Sequence, residues 1–241
     1  MNDILNSWIV KTKIAHRGLH GETFPENSIG AFTAAAQSGF AAELDVRPLA
    51  DGKIAVFHDE GLSRMTGSDG YICTLNSEQV KALRLLKTDE RIPLLSEVFE
   101  AVNGKTPLLI EIKNPNKVGA FEQSLVKLLG EYKGEFAVQS FNPYALEYLK
   151  HNAPQIIRGQ LSSFFKNSNI SKFKRYALKR LLFNKFTHPD FISYEFTDLP
   201  NRWVIRSGLP VLAWTIRSQE DYDAVQGLCD NIIFESFLPK K

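Results

Sequence analysis

Cysteine is scarce. The chain has two, Cys73 and Cys229, far apart and without C-x-x-C spacing. That excludes a disulfide framework and a zinc knuckle and leaves two reduced, mostly buried thiols. An imbalance of charge is missing as well, since 29 Lys and Arg against 27 Asp and Glu leave a formal net charge of +2. A molecule so close to neutral is not a nucleic-acid binder as a whole. No apolar run approaches the ~20 residues of a membrane span. Thirteen residues, Lys11 and Lys13 among them, precede the first predicted strand, which is too few for a secretory signal, so a cytoplasmic location is expected. There is no internal repeat and no low-complexity tract. No G-x-G-x-x-G follows the first strand, which argues against a doubly wound dinucleotide-binding sheet.

What is present is core material in an alternating pattern. Hydrophobic residues make up 44% of the 241 positions, enough for one large α/β domain or two small ones. Short apolar strands are expected at Ile14–Gly18, Ala41–Val46, Pro107–Lys113, Phe136–Ser140, Ile156–Gln160, Phe191–Tyr194, Pro210–Thr215 and Ile232–Phe234. Ile54–Phe57 is a hairpin arm after the turn Asp51-Gly52. Helices are expected between the strands: from an Asn27 cap to Gly39, near Ser77–Leu86, after a Ser96 cap, over Val118–Leu128, after Asn142-Pro143, over Pro200–Ser207 and from Ser218. Alternating β and α with buried strands argues for a parallel sheet covered by helices. Eight such units in about 250 residues is the size of a (β/α)8 TIM barrel, read here as a single domain over 1–241.

A barrel makes a further test possible, because its functional groups gather at the C-terminal ends of the strands. His16 and Arg17 end the first strand, Glu43 and Asp45 the second, Glu111 and Lys113 the third, and Gln139 the fourth. Glu195 and Trp214 stand at the ends of the sixth and seventh, and His58 closes the hairpin arm beside Asp59. Residues two apart on a strand share a face, so Glu43 with Asp45, and Glu111 with Lys113, point the same way. Three converging carboxylates form a hard-oxygen site suited to Mg2+ or Ca2+. Arg17 and Lys113 are cations able to hold an anion, with phosphate the natural candidate. Lys113 as a Schiff-base lysine is the weaker alternative, because its carboxylate neighbours oppose the neutral amine. His20, His151 and His188 read as surface or loop residues, and Glu26 and Asn27 as loop and cap before site support.

These residues fall in motifs that carry a resemblance. H-R-G at 16–18, P-E-N-S at 25–28, E-L-D-V at 43–46, F-H-D-x-x-L-x-R-x-T-G at 57–67, E-I-K at 111–113, Q-S-F at 139–141 and A-W-T at 213–215 together resemble the glycerophosphodiester phosphodiesterase family. The resemblance covers nearly the whole chain. It implies a TIM barrel with a small insertion after the second strand, here roughly 59–91. It also implies a divalent metal held by Glu43, Asp45 and Glu111, and an acid–base pair of His16 and His58. The implied reaction is hydrolysis of a glycerophosphodiester to glycerol 3-phosphate and an alcohol through a cyclic phosphate. Arg17 and Lys113 would bind and neutralise the phosphate, and Trp214 would wall the glycerol. His16 as base and His58 as acid is one order of events, and the residues themselves leave the reverse order open. Two departures stand out: Arg217 where the family usually has Asn, and Phe234-Glu235-Ser236-Phe237 where it commonly has a T-D-x-P-like sequence.

One stretch falls outside the family pattern. Residues 164–186 hold Lys166, Lys172, Lys174, Arg175, Lys179, Arg180 and Lys185 and no acid. Phe173, Tyr176, Ala177 and Leu181 fall on one side of an expected helix, with Phe164, Phe165, Phe183 and Phe186 nearby. Either the apolar side packs on the sheet, or the segment makes peripheral contact with an anionic membrane and brings lysophospholipid-like diesters to the site. A non-catalytic barrel that binds phosphate esters is a third reading. Oligomeric state is open.

Overall fold

The computed structural model describes residues 4–114, 117–166 and 168–240. Eight parallel strands with helices between them make the expected (β/α)8 barrel, with a small insertion after the second strand. By backbone packing the chain divides into two compact units, 15–136 and the combination of 1–14 with 137–241. A short helix α1 (Trp8–Lys11) and strand β1 (Ile14–Ala15) open the chain.

In the 15–136 unit, helix α2 (Ile29–Gln37) leads to β2 (Ala41–Pro48) and the hairpin arm β3 (Ile54–Val56). β2 is buried on both faces, as a strand inside a parallel sheet must be, and its first seven residues are all buried. Ser28, not Asn27, caps α2: its Oγ accepts the Ala31 N–H at 3.2 Å. Asn27 instead adopts φ +57° and is buried, which frees its side chain for the site.

The insertion holds the short helices α3 (Ser63–Thr66) and α4 (Ser77–Lys81). Its Leu62, Met65, Ile72, Val80 and Leu85 form one core with Leu49, Ala55, Phe57 and Leu94 on either side of it in the chain. The helix expected over Ser77–Leu86 stops at Lys81, because Leu86 and Lys87 take left-handed backbone and Arg84 bridges to Arg91. Helix α5 (Leu95–Val102) starts one residue before the expected Ser96 cap. Glu97 accepts the Leu94 N–H at 2.8 Å there, so a carboxylate in the first turn does the work of a cap. β4 (Leu108–Ile112) pairs with β2 in parallel, Asp45 opposite Glu111, and helix α6 (Ala120–Glu131) follows.

In the other unit β5 (Phe136–Ser140), β6 (Arg158–Ser162), β7 (Phe191–Glu195), β8 (Val211–Ile216) and β9 (Asn231–Phe234) pair in sequence, all parallel. Between them lie α7 (Pro143–Asn152), α8 (Lys172–Lys179), α9 (Asn184–Thr187), α10 (Arg202–Ser207) and α11 (Gln219–Val225). Asn142 accepts the Tyr144 N–H at 3.0 Å and Ser218 accepts the Asp221 N–H at 3.0 Å, which are the caps the sequence suggests. β6 begins two residues later than expected. Arg158 is buried at its start, with its guanidinium donating to the carbonyls of Thr187, Pro154 and Ile156. The charge is thus satisfied inside. The stripe expected of α8 is only half realised: Ala177 and Leu181 are buried, whereas Phe173 and Tyr176 are exposed. Asn167, in the same basic segment, lies outside the described residues.

Candidate active site

Seven of the eight expected site residues lie in the 15–136 unit. The loop after β1 sets the first two. Arg17 takes φ +54° and Gly18 φ +78°, and the Gly18 N–H donates to the Glu43 carbonyl at 3.1 Å. A Cβ on Gly18 would meet the Ala31 backbone at 2.8 Å, so the H-R-G turn closes onto α2 only with glycine. The left-handed Arg17 and Asn27 are tied together, Asn27 N–H to Arg17 carbonyl at 3.0 Å. Such backbone costs about 1–3 kcal/mol per residue and persists where surrounding contacts hold it.

Glu43, Asp45 and Glu111 are all buried, and one oxygen from each lies within 4.8 Å of the others. The i, i+2 spacing on β2 and the Asp45–Glu111 register with β4 bring them together. Lys113 Nζ donates to Glu111 Oε1 at 2.7 Å and stands 3.3 Å from Asp45 Oδ1. The Arg17 backbone N–H donates to Glu43 Oε2 at 2.9 Å, and its Nε is 3.4 Å from Asp45 Oδ2. Asn27 grips Asp45 twice, donating from Nδ2 to Oδ2 at 2.9 Å and accepting the Asp45 N–H at 3.2 Å.

Burial and the neighbouring Asp45 and Glu111 push the Glu43 carboxyl well above the usual range. Burial raises Glu111 as well, against the pull of Lys113. Asp45 goes the other way: despite its burial, Lys113, His58, Arg17 and His16 hold it far below the ordinary carboxylate range. Lys113 is itself raised, because Glu111 and Asp45 outweigh its burial, and a lysine held protonated is no Schiff-base nucleophile.

Two cations against three buried carboxylates leave negative charge to be met. Among the described residues Glu43 Oε1 and Asp45 Oδ1 are buried without a hydrogen bond. Asp45 Oδ1 has the Lys113 ammonium at 3.3 Å, and buried oxygens without a hydrogen bond in an all-carboxylate set fit a hard divalent cation.

His16 and His58 flank this centre. His16 Nε2 is 4.0 Å from Glu43 Oε2. His58 follows β3, whose next residue Phe57 donates its N–H to the Asp45 carbonyl at 2.9 Å. His58 Nδ1 is 2.6 Å from Asp59 Oδ1. Burial lowers the His58 pKa below its ordinary value.

Sequence reasoning left the next partner without a role. Arg64 donates to both oxygens of Asp59, at 2.5 and 3.0 Å, and to both oxygens of Glu26, at 2.9 and 2.6 Å. Glu26 in turn accepts from Arg17 Nη1 at 2.8 Å. The chain Arg17–Glu26–Arg64–Asp59–His58 thus joins the arginine beside the acidic centre to a candidate catalytic imidazole. The signal was the F-H-D-x-x-L-x-R stretch itself, which puts an arginine five residues after the acid.

Trp214 belongs to the other unit. It is half-buried on β8 and meets Phe141 edge-on, ring centroids 5.5 Å apart at 87°. Gln139, one residue from the end of β5, is buried and accepts from Ser193 Oγ at 2.7 Å. The two departures from the family pattern meet each other: Arg217 Nε donates to Glu235 Oε1 at 2.7 Å. His151 and His188 are exposed, as expected.

Fold and site together define a barrel enzyme with a buried acidic centre, two cations against it and a histidine on either side. Residues 16–236 match the family model described as the glycerophosphoryl diester phosphodiesterase family, and the chain belongs to it. It is similar to a glycerophosphodiester phosphodiesterase of Caldanaerobacter subterraneus subsp. tengcongensis, 32% identical over 223 residues and 87% of each chain. It is also similar to a lysophospholipase D of Rattus norvegicus, 39% identical over 135 residues, which are 51% of this chain and 42% of that one. Among solved structures it resembles an Oleispira antarctica phosphodiesterase in complex with the product sn-glycerol-3-phosphate, with TM-score 0.77, 25% identity and 93% and 92% of the two chains covered. Its enzyme class is therefore glycerophosphodiester phosphodiesterase. Among the described residues no helix is long and apolar enough to cross a membrane.

Proposed function

We propose that the chain hydrolyses glycerophosphodiesters to glycerol 3-phosphate and an alcohol, depends on a divalent ion, and works as one catalytic domain. The observation that carries this is the cluster of three buried carboxylates with two oxygens lacking a hydrogen bond, bordered by Arg17, Lys113 and two histidines. Glu43, Asp45 and Glu111 would hold Mg2+ or Ca2+. Such an ion, when bound, supplies charge stabilisation to a phosphoryl group. Arg17 and Lys113, both kept protonated by carboxylate neighbours, bind the phosphodiester monoanion and offset charge that grows as phosphorus is attacked. Trp214 is assigned to the glycerol wall.

His58 is assigned the base of the first step, the reverse of the order written from the motifs alone. Asp59 is ionised, so His58 must donate from Nδ1, which leaves the lone pair on Nε2. Burial keeps the ring neutral near pH 7. It can then take the proton of the glycerol 2-hydroxyl as that oxygen attacks phosphorus, and His16 gives a proton to the departing alcohol. Water opens the cyclic phosphate with the two roles exchanged.

The test is a pair of variants. His16→Ala and His58→Ala should each lower kcat by about 10²–10⁴-fold on glycerophosphocholine. A diester with a phenolate leaving group needs no acid, so it should restore much of the activity of His16→Ala and little of His58→Ala. Equal restoration of both would overturn the assignment.

A second substrate reading is favoured by one observation. The stretch 164–186 exposes aromatic side chains among its cations, and the similar rat protein is named a lysophospholipase D. Lysophospholipids are thus the lipid diesters to assay beside soluble ones.

A further inference from the structure

The basic segment has a composition the reaction does not use. Residues 164–186 carry seven Lys and Arg and no Asp or Glu, although the whole chain is only +2, so the remainder of the protein is net acidic. A surface of one sign on a nearly neutral protein marks what it is meant to meet.

The structure shows which of these groups face outward. Lys166 is engaged with the buried Asp198 at 2.7 Å, Arg175 donates to the Ser168 carbonyl at 2.9 Å, and Arg180 lies 3.8 Å over the Tyr176 ring. Lys172, Lys174 and Lys185 are exposed. Among them stand large apolar side chains that found no place in the core: Phe173 is 79% exposed, Phe186 59% and Leu182 42%. On the adjoining α7, Tyr144 is also exposed and packs edge-on to Phe183, with ring centroids 6.2 Å apart. Lys150 of the same helix donates to the Phe186 carbonyl at 2.7 Å, which fixes α9 in place. Apolar groups that would lower solvation cost if buried, set among lysines whose stems can reach past them, have the makeup of an interfacial surface.

We infer that α8 and α9 form a docking surface for anionic lipid: Phe173, Leu182 and Phe186 enter the headgroup region while Lys172, Lys174 and Lys185 meet the lipid phosphates. Charge complementarity selects this occupant. A second copy applying the same face would set cations against cations. A single-stranded nucleic acid also pairs cations with open rings, but Arg180 covers Tyr176, and Trp203 is flanked by Arg180, Arg202 and Arg206 at 4.9, 4.3 and 5.6 Å, which leaves Phe173 and Phe186 as the open rings of the segment; an oligonucleotide is therefore one arm of the test. An acidic protein surface would meet the same lysines, and binding to protein-free vesicles is the outcome that separates the two. The inference stands whether the substrate is a soluble diester or a lipid.

The experiment is co-sedimentation of the full chain with vesicles. The protein should pellet with phosphatidylcholine vesicles containing about a third phosphatidylglycerol, and not with pure phosphatidylcholine. Raising NaCl from about 0.05 to about 0.5 M should release most of it. Lys172→Gln, Lys174→Gln and Lys185→Gln combined should lower the partition coefficient about ten-fold or more, since each lysine near the surface adds to the attraction. Phe173→Ser with Phe186→Ser should lower it at unchanged charge. Both variants should keep wild-type circular dichroism, Tm and glycerophosphocholine turnover, and Phe173→Trp should shift its emission to the blue on adding the anionic vesicles. No pelleting at low salt, equal pelleting with neutral vesicles, unaltered binding of both variants, or tighter binding to a single-stranded oligonucleotide than to the vesicles would each overturn the inference.

Discussion

Asp59 is the residue that ties the His58 imidazole to the arginine network. It holds the Nδ1 side of His58 at 2.6 Å and takes two hydrogen bonds from Arg64, which also clamps Glu26. Against a burial penalty, the bonds from Arg64 and His58 lower its pKa to about 2. The unfolded value is about 3.9. A carboxyl whose folded pKa is depressed stabilises the fold fully above the unfolded pKa, and that stabilisation is lost as pH falls from about 4 toward 2. Asp59→Asn should therefore lower Tm at pH 7 but converge on wild type near pH 2–3. A Tm gap that stays constant across that range would show that the carboxylate's charge is not what stabilises. Its partner Arg64 was visible in the F-H-D-x-x-L-x-R stretch, yet nothing in a linear string says that an arginine five residues on reaches back to the acid and across to Glu26.

At the scale of elements, the insertion after β2 is a small folded body rather than a loose loop. Phe57, the residue before His58, sits in one core with Leu62, Met65, Ile72, Val80 and Leu85. Packing there and placement of the imidazole are thus one problem. Leu85 is 1% exposed, and Leu85→Ala should cost about 2–5 kcal/mol of stability, read from the urea midpoint. It should also lower kcat more than it alters KM, because the ring next to Phe57 loses its fixed position. Unchanged stability would mean that the insertion unfolds independently of the rest. The composition of this section, with Gly61, Gly67 and Asp69-Gly70, announced turns. Its true helices are only four and five residues long, too short to leave a periodicity in the sequence.

For the molecule as a whole, the balance of charge at the acidic centre sets the strongest expectation. Three buried carboxylates face Arg17 and Lys113. A divalent ion present at 100 times its Kd would add about 2.7 kcal/mol to stability. Dialysis against EDTA should lower Tm and abolish turnover, and Mg2+ or Ca2+ should restore both. Glu43→Gln should remove the Tm response to the ion along with the activity. Full turnover in EDTA after exhaustive dialysis would refute metal dependence.

The strands, their number and the convergence of the acidic side chains were legible because they depend on short-range rules. Buried parallel strands are apolar runs, side chains two apart share a face, and a barrel displays its chemistry where strands end. Glu43, Asp45, Glu111, Lys113, His16 and Arg17 could be brought together on those rules alone. The sequence by itself also settled the family, since motifs in order over 16–214 carry it. The tertiary structure decided the rest, for reasons of distance. Asn27 reads as a cap because Asn is good at capping, but Ser28 is placed better and the left-handed backbone at Asn27 turns its amide onto Asp45. Lys113 stays a protonated cation rather than a Schiff-base amine because two carboxylates surround its nitrogen. Arg217 and Glu235 look like two separate departures in one dimension and are a single ion pair in three. Phe173 belongs to an apolar stripe on paper, yet the helix that carries it turns it to solvent. Each of these hinges on which groups lie within 4 Å of one another across tens of residues, and only the folded chain fixes that.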